Sequence, residues 1–159
     1  MAAPEAAQVV AALAGRGQTL AVAESLTGGL LAATVVEVPG ASAVFRGGLV
    51  VYATELKAVL AGVPARLLAE RGPVNPEVAQ LLAAGARERC GADWGLGTTG
   101  VAGPDPQDGV PVGTVYLGLA GPDGSRTAQR LELHGGRAAI RAATVTAALD
   151  LLADRLRAS

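Results

Sequence analysis

Three short polar stretches of this sequence carry the residues whose types and spacing could do chemistry: "AESLTGG" from Ala23, "YATELK" from Tyr52 and "GTTGVAGP" from Gly97. In the first, Ser25 stands where an apolar strand turns into an alanine-rich helix. A hydroxyl there is a nucleophile, a helix cap or part of an anion cradle. Gly28 and Gly29 add exposed backbone N–H groups at the positive end of that helix, which suits a phosphate or an oxyanion. The stretch alone leaves these three alternatives open.

Lys57, which closes the second stretch, has two interpretations. It is a solvated lysine on a helix, or it is a base that loses its charge in a dry pocket and takes the proton of a serine. Other chemistries have weaker support in the sequence. His134 is the only histidine and precedes two glycines without a marked partner, no His/Cys cluster indicates zinc, and no phosphate-binding GxxxxGK[ST] or GxGxxG turn is present.

The elements that must position these residues alternate along the chain. Apolar spacing predicts a helix from Pro4 to the glycines at 15–17, and the strongest later helical pattern begins at Pro76 and ends at Cys90. The segments "GTVYLGLAG" and "RTAQRLEL", separated by the turn "PDGS", predict a β-hairpin. The remaining predicted elements are strands at 19–23, 47–53 and 92–100 and helices at 29–37, 54–61, from Pro64 and at 136–157.

This order predicts an α/β fold whose sheet is partly parallel, with an antiparallel portion near the C-terminus. In such sheets the ligand site lies at the carboxyl ends of the strands. The three polar stretches follow three predicted strands. If those strands are parallel neighbours, five side chains converge on one crevice: Ser25, Tyr52, Lys57, Thr98 and Thr99.

Composition restricts the function classes. The length of 159 residues predicts a single domain over 1–159, and 50% hydrophobic residues with a mean hydropathy of +0.38 predict a globular chain. A net charge of −1, spread over 13 basic and 14 acidic residues, and an aromatic content of one Trp, two Tyr and one Phe argue against nucleic-acid binding. Neither a secretory leader nor an apolar run of membrane-spanning length is present, so we expect a cytoplasmic protein without a membrane partner.

Five motifs in order, "AESLTGG", "GGLVVYATELK", "TTGVAGP", "PVGTVYLGLA" and "GGRAAIRAAT", give the chain a strong resemblance to the CinA C-terminal domain family, the nicotinamide-nucleotide amidases. The resemblance extends from the first helix to the last. It implies a three-layer αβα domain with a mixed sheet, a C-terminal β-hairpin and a long closing helix. It also implies hydrolysis of nicotinamide mononucleotide to nicotinic acid mononucleotide and ammonia, with no cofactor and no metal.

The resemblance also implies residue roles. Ser25 matches the family's proposed nucleophile and Lys57 its proposed base, while Thr99 or Tyr52 would relay a proton or orient the lysine. Backbone amides near Gly28–Gly29 or Gly100 would hold the oxyanion, and which turn does so stays open. Arg141 is the better match to the family's late arginine, with Arg137 a close competitor for the substrate phosphate. The resemblance adds Ser42, and we also expect Thr27, Thr98 and Gly103 to bind the substrate.

The chain departs from the family pattern in places. Leu26 stands where a cysteine is common, and Ala53-Thr54 replaces a common Ser-Asn pair. The loop after "TTG" has fewer glycines than in many relatives, so its ligand contacts stay open. An alternative function is a catalytically silent nucleotide-binding or sensor module of the same fold, although the joint presence of Ser25 and Lys57 favours catalysis. The expected partner is a small-molecule nucleotide, and a homo-oligomer is left open.

Overall fold

A computed structural model describes residues 2–159. These residues form six α-helices and five β-strands, with the third, fourth and fifth helices in succession and the last three strands in succession, and a short 3₁₀ turn at Ala41–Ala43 precedes the second strand. The helices are α1 (Pro4–Arg16), α2 (Leu30–Val36), α3 (Thr54–Val59), α4 (Ala65–Arg71), α5 (Pro76–Cys90) and α6 (Arg137–Ala158). The strands are β1 (Leu20–Glu24), β2 (Phe45–Val50), β3 (Trp94–Gly100), β4 (Thr114–Ala120) and β5 (Arg126–Glu132).

The strands form one mixed sheet in the order β2-β1-β3-β4-β5. β1 is parallel to both β2 and β3, whereas β4 is antiparallel to β3 and to β5. The predicted partly parallel sheet and C-terminal hairpin are therefore confirmed. In the register, Glu24 lies beside Val50 on one side and Thr98 on the other, so the carboxyl ends of β1, β2 and β3 meet at one edge.

Helices cover both faces of the sheet in three layers. Leu20 and Val22 of β1 face a cluster that contains residues of α1, α2 and α6, whereas Ala21 and Ala23 face a cluster that contains residues of α5. The contact with α5 is close: a Cβ atom added at Gly95 or Gly118 would overlap a backbone carbonyl oxygen of that helix. Small residues on this face of the sheet therefore bring α5 onto β3 and β4 almost backbone to backbone.

Most element ends follow the sequence signals. Pro76 occupies the first turn of α5, and the Asn75 side chain accepts a hydrogen bond from the Val78 N–H at 2.9 Å. β2 differs from its prediction, because it ends at Val50 rather than continuing to residue 53. The Val51 N–H still donates to the Glu24 carbonyl at 2.9 Å, and the chain then leaves the sheet and reaches α3 at Thr54. No helix in residues 2–159 combines the length and apolarity needed to cross a bilayer.

Candidate active site

A cleft of about 320 Å³ opens at the carboxyl ends of β1, β2 and β3. Its floor is formed by the ends of β1 and β3, and its walls come from α3, the loop before α5 and the long loop after β3. This is the edge at which the sequence predicts a crevice. The lining residues are Ser25, Leu26, Tyr52, Thr54, Lys57, Pro73, Val74, 99–107 and Arg137.

Ser25 lies at the floor of the cleft, and its hydroxyl is free to interact with a ligand. Its N–H donates to the Thr98 carbonyl at 3.0 Å, which continues the parallel ladder one residue beyond β1. The residue is 8% exposed, and its Oγ forms no hydrogen bond with any residue in the range 2–159. A helix-capping role is wrong for Ser25, because α2 begins after Gly29 and receives no cap from a serine or threonine side chain.

Glu24 supplies the bonds that a capping hydroxyl would have made. Its carboxylate is fully buried and accepts hydrogen bonds from the N–H groups of Leu31 at 2.8 Å and Ala32 at 3.0 Å. The sequence interpretation missed this role. The available signal was an acidic residue at the end of an apolar strand, shortly before a helix whose N-terminus favours negative charge.

Lys57 is the only lysine in the sequence, and its side chain is 1% exposed. Its Nζ donates hydrogen bonds to the carbonyl oxygens of Val51 at 2.8 Å and Tyr52 at 3.2 Å. Burial lowers the pKa of the Lys57 amine from the usual 10.5 to about 8, whereas the Glu55 carboxylate acts in the opposite direction. Lys57 and Ser25 line the same cleft without a hydrogen bond between them.

The two threonines of the "TTG" motif point to opposite faces of β3. Thr99 lines the cleft, and its hydroxyl donates to the Pro73 carbonyl at 2.7 Å. Thr98 does not line the cleft: its Oγ1 lies 2.9 Å from Oγ1 of Thr27, and both residues are fully buried. Four of the five side chains expected to converge therefore line the cleft, and Thr98 does not. Thr98 instead links β3 to residues 25–29, which we call the Ser25 turn.

Two arginines one helical turn apart on α6 contact different parts of the site. Arg137 lines the cleft and donates to the Gly103 carbonyl at 2.6 Å and to the Tyr52 hydroxyl at 2.9 Å. Arg141 does not line it: its Nε and Nη2 donate to the carbonyls of Leu26 and Thr27, each at 2.9 Å. Arg137 is thus available to a ligand in the cleft, whereas Arg141 holds the Ser25 turn from behind.

The glycine turns also differ in what they offer. Gly28 and Gly29 do not line the cleft, and the Gly28 N–H donates to the Ser25 carbonyl at 3.1 Å. Gly100 and Gly103 do line it. Ser42 lies elsewhere, beside a separate hollow that it shares with residues of the segment 36–45.

Several backbone donors near the cleft are left without a protein acceptor. Within residues 2–159, no acceptor is found for the N–H of Leu26, which directly follows Ser25. The same holds for the N–H groups of Ala102, Gly103 and Asp105 in the loop after β3. Among the described residues, Asp105 is the only one with a carboxylate that lines the cleft. The described residues bring no three His, Cys, Asp or Glu side chains together in a metal-binding group.

The sequence of this domain matches the family model described as the CinA C-terminal domain, over residues 2–156. The chain belongs to the CinA C-terminal domain family. A CinA-like protein of Frankia casuarinae is 56% identical over 144 residues, which are 91% of this chain and 33% of that protein. A CinA-like protein of Anaeromyxobacter is 52% identical over 154 residues, 95% of this chain and 37% of that protein. The chain therefore spans about a third of the length of these curated relatives.

Solved CinA structures share the fold over nearly the whole chain. A CinA superfamily protein of Klebsiella pneumoniae superposes with a TM-score of 0.93 at 32% identity, covering 98% of this chain and 97% of that one. A competence/damage inducible protein of Agrobacterium tumefaciens superposes with a TM-score of 0.91 at 31% identity, covering 99% and 98%. The α/β fold and its closing helix are thus those of CinA proteins.

Proposed function

We propose that this CinA domain is an amidohydrolase that converts nicotinamide mononucleotide to nicotinic acid mononucleotide and ammonia. The observation that carries the proposal is the pair formed by an unpartnered serine hydroxyl and a buried lysine amine with a lowered pKa in one cleft. A pocket that only bound a nucleotide would need neither feature.

The choice of lysine at position 57 supports its role as a base. All twelve other strongly basic residues of the sequence are arginines, which stay protonated at any physiological pH. With a pKa of about 8, roughly a tenth of the Lys57 amines are neutral at pH 7. The only strongly basic side chain that can give up its proton near neutral pH is therefore the buried Lys57, which lines the same cleft as the Ser25 hydroxyl.

The proposed reaction proceeds in two halves. Neutral Lys57 takes the proton of Ser25 as Oγ bonds to the carboxamide carbon, and the protonated lysine then gives that proton to the leaving nitrogen as the C–N bond breaks. Ammonia departs and an ester with Ser25 remains. A water molecule, deprotonated by the same amine, attacks this ester, the C–Oγ bond breaks, and Ser25 regains its proton while the carboxylate product leaves.

In the proposed reaction, the backbone N–H groups without a protein acceptor stabilise the negative charges of the oxyanion and the phosphate. The Leu26 N–H, next to the nucleophile, is the favoured donor to the tetrahedral oxyanion, because the Gly28 N–H is already bound to the Ser25 carbonyl. Arg137, together with the N–H groups of Gly103 and Asp105, is the favoured phosphate site. The Asp105 carboxylate complements the positive pyridinium ring, so both charges of a zwitterionic substrate have a counterpart in the cleft.

One observation favours the second candidate, a silent nucleotide-binding or sensor module. Lys57 donates to two backbone carbonyls and makes no hydrogen bond to Ser25, so the proton-transfer contact is not formed in this structure. Catalytic hydrogen bonds are often longer without substrate and tighten when it binds. The amidase proposal therefore requires the amine to approach Ser25 in the complex.

The decisive experiment is an assay of the purified chain with nicotinamide mononucleotide, in which ammonia and nicotinic acid mononucleotide are measured together. The proposal predicts equal amounts of both products. Nicotinamide riboside, which lacks the phosphate, serves as the control and should react with a higher KM. Saturable binding of the mononucleotide by calorimetry without any product would support the silent module instead.

A further inference from the structure

We propose that Glu24 is a positioning residue for Ser25: its buried carboxylate holds the N-terminus of α2 and thereby fixes the turn that carries the nucleophile. The inference rests on the proposed function, because it assigns Ser25 the role of nucleophile. It adds a residue to which neither the sequence motifs nor the resemblance gave a role.

The carboxylate is placed and bonded in an unusual way. Glu24 belongs to the central strand β1, is fully buried, and forms no ion pair with any residue in the range 2–159. Both of its oxygens are used, one by the Leu31 N–H and the other by the Ala32 N–H. Because a buried carboxylate without a counter-ion is costly, these two charge-assisted hydrogen bonds must hold it and the helix end together.

The helix depends on Glu24 in turn. α2 has only seven residues and no cap from its own N-terminal segment, and it follows Gly28 and Gly29, whose φ angles are 57° and 103°. A short helix after two glycines has little intrinsic stability. The carboxylate therefore replaces a local cap with a bond that ties the helix to the sheet.

Ser25 lies between the two attachments. On one side the Glu24 carbonyl accepts from the Val51 N–H and the Ser25 N–H donates to the Thr98 carbonyl, which keeps the start of the turn in the sheet. On the other side the Glu24 carboxylate holds the first turn of α2. Residues 25–29 must close the gap between these two fixed points, so the position of the Ser25 hydroxyl depends on the length and charge of the side chain beside it.

The test substitutes each partner of the interaction separately. Glu24→Gln keeps the shape but replaces one acceptor oxygen by an NH₂ group, which cannot bind an N–H. Ala32→Pro leaves Glu24 intact and removes one of the two donors at a position in the first helical turn, where proline is tolerated. We expect kcat for nicotinamide mononucleotide to fall about 10- to 100-fold in Glu24→Gln and less in Ala32→Pro, with KM within about threefold, because a displaced nucleophile reacts slowly while bound substrate contacts persist.

The matched control is Asp93→Asn. Asp93 also accepts a backbone N–H from a neighbouring element, that of Thr19 at 2.8 Å, but at the opposite end of the same strands. Thermal midpoints are measured for all three variants. If Asp93→Asn lowers the midpoint as much as Glu24→Gln and leaves kcat unchanged, lost stability does not explain the loss of turnover. Should Glu24→Gln fail to fold, the kcat of Ala32→Pro decides whether the inference stands.

A second readout separates the inference from the proposed function. The rate at which a fluorophosphonate labels Ser25, followed by mass spectrometry, reports the nucleophile without reference to any natural substrate. Labelling of the unmodified protein without ammonia release would contradict the substrate assignment, and slower labelling of Glu24→Gln and Ala32→Pro than of the unmodified protein would still support the Glu24 inference. Unchanged kcat and unchanged labelling in folded Glu24→Gln or Ala32→Pro would overturn the inference.

Discussion

The two ends of the β1–β3 pair use similar polar residues in opposite ways. At the amino end, the N–H and hydroxyl of Thr19 both donate to Asp93, at 2.8 and 3.1 Å, and the indole N–H of Trp94 donates to Gln18 at 2.8 Å. At the carboxyl end, Ser25 keeps a hydroxyl without a protein partner in a cleft.

The difference separates polar groups that hold the fold from polar groups that await a ligand. Buried polar groups in native proteins are nearly always hydrogen-bonded, so the amino end fits a structural role. The carboxyl end offers an unpaired hydroxyl, unpaired N–H groups and a titratable amine together. Substitutions of these unpaired groups at the carboxyl end should therefore change activity more than stability, and substitutions of the paired groups at the amino end should do the reverse.

Ser25→Ala gives the largest effect on activity. Removal of the nucleophilic oxygen should lower kcat by about 10⁴-fold or more, because the remaining groups cannot form the ester intermediate. The thermal midpoint should stay close to that of the unmodified protein, since the Ser25 hydroxyl makes no hydrogen bond to residues 2–159. Ammonia release and thermal unfolding are measured on the same preparation. Full activity in Ser25→Ala would end the nucleophile assignment.

Lys57 tests the chemistry of the base. Lys57→Met keeps much of the side-chain stem and should lower kcat by about 10²- to 10⁴-fold with little change in substrate affinity. Lys57→Arg restores the positive charge but not a removable proton, so it should be as inactive as Lys57→Met. Rescue by arginine would mean that the site needs only a cation.

The pH dependence of kcat/KM and of stability tests the same role of Lys57 as the base. In the unmodified protein, kcat/KM should rise with pH and level off above about 8, because only the neutral amine accepts a proton. Stability should rise between pH 8 and 10.5, where the unfolded chain binds a proton at Lys57 that the folded chain has released. Lys57→Met should lose this stability increment. A flat rate profile across pH 6–9 would contradict the assignment of the base.

Arg137→Ala should have a smaller effect, confined to binding. Loss of the guanidinium should raise KM for nicotinamide mononucleotide about tenfold and leave nicotinamide riboside nearly unaffected, since only the nucleotide carries the phosphate. Arg141→Ala is the matched control, because that guanidinium binds the carbonyls of Leu26 and Thr27 and should affect kcat for both substrates. Equal losses for both substrates in Arg137→Ala would place the phosphate elsewhere.

Asp93→Asn should give the smallest effect on activity and a clear one on stability. The substitution weakens the Thr19–Asp93 hydrogen bonds at the amino end of the β1–β3 pair. It should lower the free energy of unfolding by about 1–3 kcal/mol. Activity per folded molecule should not change. Denaturant unfolding and steady-state rates at a temperature well below the transition measure the two quantities. A loss of kcat here would remove the contrast between the two strand ends.

The sequence predicted those parts of the molecule that depend on local patterns. Apolar periodicity, prolines and glycines located α1 and α5, and polar strand ends located the crevice that contains Ser25, Tyr52 and Lys57. These predictions succeed because capping signals and strand-end residues act within a few positions of the structure that they determine.

The rest depended on contacts between distant segments. Thr98 and Thr99 are adjacent, and only the register of β3 decides which of them faces the cleft. Arg137 and Arg141 are separated by one helical turn, and only the position of α6 relative to the cleft decides which of them lines it. Glu24 reaches amides seven and eight residues further along the chain, a distance that no local capping pattern covers.

The close packing of α5 on β3 and β4 restricts which substitutions this protein can accept during evolution. Any single-base change that replaces a glycine codon at position 95 or 118 with that of another residue introduces a side-chain atom where the helix backbone already lies. A residue other than glycine at either position therefore requires the backbone of α5 to move. The leucine-rich opposite face can exchange one apolar residue for another, so divergence among descendants of this chain should accumulate under α1 and α6 and be smallest at positions 95 and 118 beneath α5.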